Sequence, residues 1–462
     1  MSRNHFPLLL AAALLAGCAT PPAAPLSAYV VLGADGAAQA RVLTTAAVCP
    51  AIEIDGASSP MQLRAGAATL PLRATQSAPE DSKPSAFPLL TCEAALPAGS
   101  RGARVQGQAL AVPKAQLQRI VVIGDTGCRL KRKDNEFQHC DVPAEYPFAI
   151  VAAAAAAWKP DLVVHVGDFH YRENACPPGN AGCANSPWGY GWDAWQADFF
   201  RPAQALLAAA PWVMARGNHE SCGRGGQGFW RFLDPRPLLP GRDCNAAADD
   251  GVGDYSDPYA VSLGSDAQLL VFDTSNTSWR GLKPDDPRMA HYADTYRKLD
   301  ALSLRAGHNI GVAHHPLLGF AAQGGADGKV KLLNGDQGLI DAFGALNPGL
   351  LPARMDAVLS GHVHLWEQLS FASAHPSQFI SGFSGTAEDL VPLPATLPPG
   401  ASPAPGAHVD QFSSWIDGFG FMTMERRAID AWDISVWDLN GKLRNTCQLL
   451  GSKSKCALAQ VH

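Results

Sequence analysis

Five short apolar runs, each stopped by a turn rich in oxygen and imidazole donors, constrain this chain more than any other feature. Arg119-Ile120-Val121-Val122-Ile123 leads into Gly124-Asp125-Thr126-Gly127, and Leu162-Val163-Val164-His165-Val166 into Gly167-Asp168-Phe169-His170-Tyr171. Trp212-Val213-Met214-Ala215 precedes Gly217-Asn218-His219-Glu220, Ile310-Gly311-Val312-Ala313 precedes His314-His315-Pro316, and Ala357-Val358-Leu359 precedes Gly361-His362-Val363-His364. Runs of this length, rich in Val and Ile and closed by Gly or Asn, predict buried strands. Donors at the ends of neighbouring strands then gather at the carboxyl edge of a sheet, where layered α/β proteins bind ligands.

The donors are Asp, Asn, Tyr and His with no thiolate, a set that suits Fe, Mn, Zn or Mg and disfavours Cu(I) or an iron–sulfur cluster. Such a site favours metal-assisted hydrolysis. Each motif alone also has an ordinary structural reading. Gly-Asp after a strand is common turn chemistry, Asn218 tolerates a left-handed backbone, and paired histidines are often hydrogen-bonded core residues. Alternation along an extended segment puts His362 and His364 on one side. The conjunction of all five, in order, points to a dinuclear site.

The ordered set resembles the calcineurin-like metallophosphoesterases and, within them, is most similar to the purple acid phosphatases, because Tyr171 stands three residues after Asp168. The resemblance covers roughly residues 119 to 386. It implies an α/β fold, a two-sheet α/β/β/α sandwich. It also implies one metal held by Asp125, Asp168, Tyr171 and His364 and a second held by Asp168, Asn218, His314 and His362, with Asp168 bridging. A bridging carboxylate holds two ions roughly 3.5–4 Å apart, the separation used for in-line displacement. Asn218, a neutral donor, leaves more positive charge for a phosphate dianion. A Tyr171 phenolate favours trivalent iron in the first position, with Fe, Zn or Mn in the second.

By the same resemblance, the substrate is a small phosphorylated compound, a phosphomonoester attacked by hydroxide generated at the metals, with activity on the acidic side. His219 resembles the family histidine that contacts the phosphate and protonates the leaving alkoxide, with Glu220 either orienting it or raising its pKa, or serving as a helix-start carboxylate. In the family's His-x-Pro pattern His314 is the ligand, and His315 is either a hydrogen-bonded wall residue or a substrate contact. Alternatives are a phosphodiesterase or nucleotide pyrophosphatase, since substrate choice lives in loops, and a non-catalytic surface-binding lipoprotein.

The amino terminus predicts where this chemistry happens. Residues 1–17 carry Arg3 and an apolar stretch from Leu8 to Leu15, too short to span a bilayer and laid out as a secretory signal. Leu15-Ala16-Gly17-Cys18 matches a bacterial lipobox, so Cys18 is the expected acylated residue, with Ala19 favouring the outer membrane. Setting Cys18 aside from the eleven cysteines leaves an even ten, as expected of an exported chain. Sequence proximity suggests Cys49–Cys92, Cys128–Cys140, Cys176–Cys183, Cys222–Cys244 and Cys447–Cys456, although spacing alone does not dictate connectivity. The net charge of −6, without a long basic run, argues against nucleic-acid binding.

Residues 18–26 read as a Pro/Ala tether, and 27–112 as a small β-sandwich resembling the amino-terminal domain of larger purple acid phosphatases. The catalytic domain is expected over 113–462, with helices near 144–158, 193–209 and 291–305. Trp188, Tyr190, Trp192 and Trp195 could wall the site for an organic leaving group, with helical burial of Trp192 and Trp195 as the alternative. The proline-rich stretch Val391 to His408 predicts a long surface loop over or near the site, and Ala431 to Trp437 alternates as a final strand.

Overall fold

The computed structural model describes residues 26–324, 330–389 and 391–458. The signal segment, Cys18 and the tether up to residue 25 lie outside the described residues. Two large sheets face each other. The eleven-stranded sheet is centred on three parallel strands, Arg119–Ile123, Leu162–His165 and Trp212–Met214. The seven-stranded sheet is centred on parallel strands Ala267–Val271, His308–Val312, Met355–Ser360 and Ser377–Ser381.

Side-chain alternation sorts these strands into layers. Ile120, Val122, Val164 and Val213 point between the sheets, where they meet Leu269, Ile310, Val312, Ala357 and Leu359. Val121, Ile123, Val163, Trp212 and Met214 point outward into a second core shared with the Phe148–Ala157 and Gln204–Ala209 helices. Leu270, Val358 and Ile380 pack on the opposite outer face against the Pro287–Ser303 and Gln337–Gly344 helices. The result is the expected α/β/β/α sandwich. Burial on both faces explains why the five runs are continuously apolar rather than alternating.

The amino-terminal segment precedes this body as a two-sheet sandwich. Ser27–Leu32, Ala38–Thr44, Leu90–Leu96 and Gln62–Ala65 form one face, and Gln108–Leu110, Ala103–Val105, Ala51–Ile54 and Ala57–Pro60 the other. Its first sheet runs on into the catalytic sheet, because Val31 pairs in parallel with Trp212. The hydrophobic core therefore runs on from the amino-terminal strands into the catalytic sheets.

The helix expected over 144–158 is confined to Phe148–Ala157, and three other elements differ from expectation for local reasons. The helix expected near 291 starts at Pro287, whose missing N–H costs nothing in the first turn, and Asp286 caps it by accepting from the Arg288 N–H. The helix expected over 193–209 is broken into Trp192–Trp195, a wide turn over Gln196–Phe200 and Gln204–Ala209, with Pro202 at the interruption. The Ala431–Asp438 strand is not final. Leu443–Leu450 and Lys453–Leu458 follow it, with Cys447 directly opposite Cys456. All five disulfides suggested by proximity are formed.

Candidate dinuclear metal centre

The donors converge because both sheets contribute to them. The eleven-stranded sheet delivers Asp125, Asp168, Tyr171 and Asn218 beyond its central strands, and the seven-stranded sheet delivers His314, His362 and His364 beyond its own. The loops are stitched together by backbone bonds from Asp125 N–H to Gly167, Thr126 N–H to Asp168 and Gly361 N–H to His314. Asp125, Asp168 and His362 all adopt left-handed φ values of 53°, 58° and 72°. Such conformations are uncommon outside glycine and concentrate at functional sites, where the surrounding structure enforces them.

Two clusters result. In the first, the Tyr171 hydroxyl lies 3.0 Å from Asp125 Oδ1, 2.7 Å from Asp168 Oδ2 and 3.0 Å from His364 Nε2. In the second, Asn218 Oδ1 lies 3.0 Å from His314 Nε2 and 3.1 Å from His362 Nδ1, while His314 Nε2 lies 3.1 Å from Asp168 Oδ2. Asp168 Oδ2 therefore belongs to both. Asp125, Asp168, Tyr171 and His314 are buried.

The donor chemistry fits bound cations. His314 Nδ1 is 3.0 Å from the Val166 carbonyl and His364 Nδ1 is 2.9 Å from the Ala387 carbonyl. With the proton held on Nδ1 by those carbonyls, each Nε2 turns a lone pair into its cluster. Burial, followed by the nearby carboxylates Asp125 and Asp168, pushes the Tyr171 phenol well above its ordinary range. Packing this many acceptor atoms together away from water is costly unless positive charge sits among them. Gly361 makes room for them, since a Cβ there would lie 2.3 Å from Asp125 Oδ2.

A family model for the calcineurin-like phosphoesterases matches residues 118–365, more than half of the chain. The chain belongs to that family. It is a metallophosphoesterase, a phosphoric ester hydrolase whose fold supports two metal ions. Its fold is similar to the purple acid phosphatase PPD1 from seeds of yellow lupin (Lupinus luteus), at 16% identity and a TM-score of 0.54, covering 95% of this chain and 75% of that one. It is also similar to PhoD, at 11% identity and a TM-score of 0.50, covering 95% and 93% of the two chains. No curated protein matches the sequence.

Around the phosphoesterase centre, Glu220 takes the helix-start reading, accepting the Gly217 N–H, rather than orienting His219. Its carboxylate does not reach His219. It accepts the backbone N–H groups of Asp168, Phe169, His170 and Gly217, at 2.8–3.2 Å, and so shapes the loop that presents Asp168. Burial and the Asp168 charge push Glu220 up to about 8 against those four donors.

The partner of His219 is instead Glu173, whose Oε1 lies 3.1 Å from Nδ1, close enough for an ion pair though not aligned as a hydrogen bond. Arg224 flanks the same carboxylate at 3.2 Å. The His219 ring lies against Tyr171, with centroids 3.8 Å apart, and Nε2 is 4.0 Å from Asp168 Oδ2. Glu173 follows Tyr171 by two residues, so extended-chain alternation was the available signal.

His315 is turned toward Thr274, whose hydroxyl lies 3.1 Å from Nδ1, and its ring sits 4.2 Å from that of His362. Its Nδ1 is thereby the wall contact expected as one of two readings. Buried Asp198 accepts the backbone N–H groups of Cys128, Tyr171 and Arg172 and pairs with the Arg172 guanidinium at 2.6 Å. No local sequence pattern announces it. Trp192 and Trp195 are buried in the outer core rather than walling the site. The proline-rich stretch from Val391 to His408 contains no helix or strand, and Asp389, ahead of it, accepts from the His364 N–H at 3.1 Å.

Proposed function

We propose that the chain is a phosphomonoesterase of the acid-phosphatase type, with one metal held by Asp125, Asp168, Tyr171 and His364 and a second by Asp168, Asn218, His314 and His362. The shared Asp168 Oδ2, 2.7 Å from the Tyr171 hydroxyl and 3.1 Å from His314 Nε2, carries this reading. Two cations there supply Lewis acidity toward a phosphoryl oxygen and a water of lowered pKa. A buried phenol between two carboxylates ionises only opposite a hard, highly charged cation. That supports trivalent iron at the Tyr171 position, with Fe, Zn or Mn at the other.

His219 is the residue that gives its Nε2 proton to the leaving alkoxide. Glu173 holds Nδ1, which turns Nε2 toward the cluster. Burial, aided by Arg224, pushes the free imidazole down to about 4. A phosphate dianion against Nε2 adds the opposite charge and restores the imidazolium, so the proton is present when substrate is. His315, anchored on Thr274, borders the substrate phosphate.

On the same reading the enzyme is a lipoprotein acylated at Cys18 and facing the periplasm or outer membrane. Five disulfides support an oxidising compartment. Replacing Cys18 with Ser should move the protein from the membrane fraction to the soluble fraction.

Metal analysis and the visible spectrum test the centre. Iron with a charge-transfer band that disappears in Tyr171→Phe is expected. So is faster hydrolysis of p-nitrophenyl phosphate than of bis(p-nitrophenyl) phosphate, with an optimum below pH 7. Two divalent ions, no band and a preference for the diester would overturn this reading.

A further inference from the structure

A cavity of about 520 Å³ opens beside the metal centre, with His362 and Val363 forming its inner wall. That volume lies within the range that takes an organic group of moderate size. Its lining is mainly apolar, with Trp279, Phe320 and Leu332 as its larger side chains. Trp279 is 64% exposed, a large flat surface left uncovered at the rim, and the Arg280 guanidinium lies 4.8 Å from its ring. An indole in that position offers a stacking platform.

One polar group in the wall is unexplained by the fold. Asp336 is only 6% exposed and caps the Gln337–Gly344 helix through Oδ1, which accepts from the Leu339 N–H at 2.9 Å and the Thr277 hydroxyl at 2.7 Å. Its Oδ2 is buried without a hydrogen-bond partner among the described residues. A buried carboxylate oxygen left unpaired is costly, and a ligand donor relieves that cost. The helix cap accounts for one oxygen and leaves the other for a ligand.

We infer that this cavity holds the leaving group of the substrate, and that the preferred phosphomonoester carries a flat aromatic group with an N–H or O–H donor that reaches Asp336 Oδ2. The inference rests on the phosphomonoesterase reading and names its substrate class. The phosphate sits against the His362 end, the ring lies along Trp279, and the donor pairs with Asp336.

Three phosphomonoesters separate the contributions: glycerol 2-phosphate, 2-naphthyl phosphate and 6-amino-2-naphthyl phosphate. Trp279→Ala should lower the ratio of kcat/KM for 2-naphthyl phosphate to that for glycerol 2-phosphate by about tenfold, through KM, since it removes a stacking surface. Asp336→Asn keeps a good helix cap but turns the free acceptor into a donor. It should lower the amino-naphthyl to naphthyl ratio by about tenfold, the size of one hydrogen bond to a charged group. If both ratios stay within twofold of wild type while hydrolysis persists, the inference is overturned and the phosphatase reading stands. If the metal-loaded wild type hydrolyses none of the three, both are overturned.

Discussion

Replacing Gly217 by alanine introduces one methyl group at the point where the Asn218 loop meets the Asp168 loop. The backbone at Gly217 is extended, with φ −92° and ψ 176°, so alanine adopts it without conformational strain. The obstacle is entirely the neighbour. A Cβ there would lie 2.0 Å from Asp168 Oδ1 and 2.3 Å from the Asp168 nitrogen. Neither is the far end of a flexible side chain, because the Asp168 N–H is held by Glu220 and its Oδ1 accepts from the His219 N–H.

Relieving that contact requires Asp168 to withdraw by about 1 Å, a misplacement that costs on the order of a hundredfold in rate at a preorganised centre, or about 2.7 kcal/mol. Overpacking adds about 1–3 kcal/mol of lost stability. The assay is metal content together with kcat/KM for p-nitrophenyl phosphate, with Gly223→Ala as the comparison. A Cβ at Gly223 meets nothing within 4 Å, and its φ is not left-handed. Full metal occupancy and activity within twofold of wild type in Gly217→Ala would refute the claim that this junction positions the shared carboxylate.

Three further outcomes are expected. Glu220→Ala strands four buried N–H groups and should cost at least about 3 kcal/mol in urea denaturation, whereas Glu220→Gln retains one carbonyl acceptor and should cost less. Glu367 is fully buried and, among the described residues, has only the Phe320 N–H to bond, and burial holds its carboxyl well above the usual range. The stability its protonated form permits is therefore present below the ordinary glutamate value and is lost as pH rises toward the raised native value. Glu367→Gln should melt higher than wild type at pH 8 and match it at pH 4, and a difference independent of pH would contradict this. Removing the Cys222–Cys244 bridge, which spans 22 residues directly after the Asn218 motif, should cost about 3 kcal/mol by loop entropy, measured by urea denaturation of the double serine variant.

Much of this protein was legible from local sequence. An apolar run followed by Gly-Asp, Gly-Asn or Gly-His marks a buried strand and the turn that ends it, because strand burial and turn chemistry depend on residues a few positions apart. The donors brought together in the two clusters are those the five motifs named, and the cysteine pairs that proximity suggested, without dictating them, are the ones formed. Long-range contacts decided the rest. Glu220 accepts three backbone N–H groups of the Asp168 loop, about fifty residues earlier, because that loop folds onto it. Glu173 holds His219, and Asp198 holds the Tyr171 loop, only because packed layers bring those segments together. The pairing of Val31 with Trp212 joins the amino-terminal sheet to the catalytic one, and no pattern within either strand specifies a partner so distant. The cavity beside His362 likewise exists only where several separate segments meet. The sequence by itself determined which atoms can bind metal and that strand ends carry them. The tertiary structure decided which neighbours orient those atoms and what surrounds the substrate, because burial and hydrogen-bond partners are properties of the assembled chain.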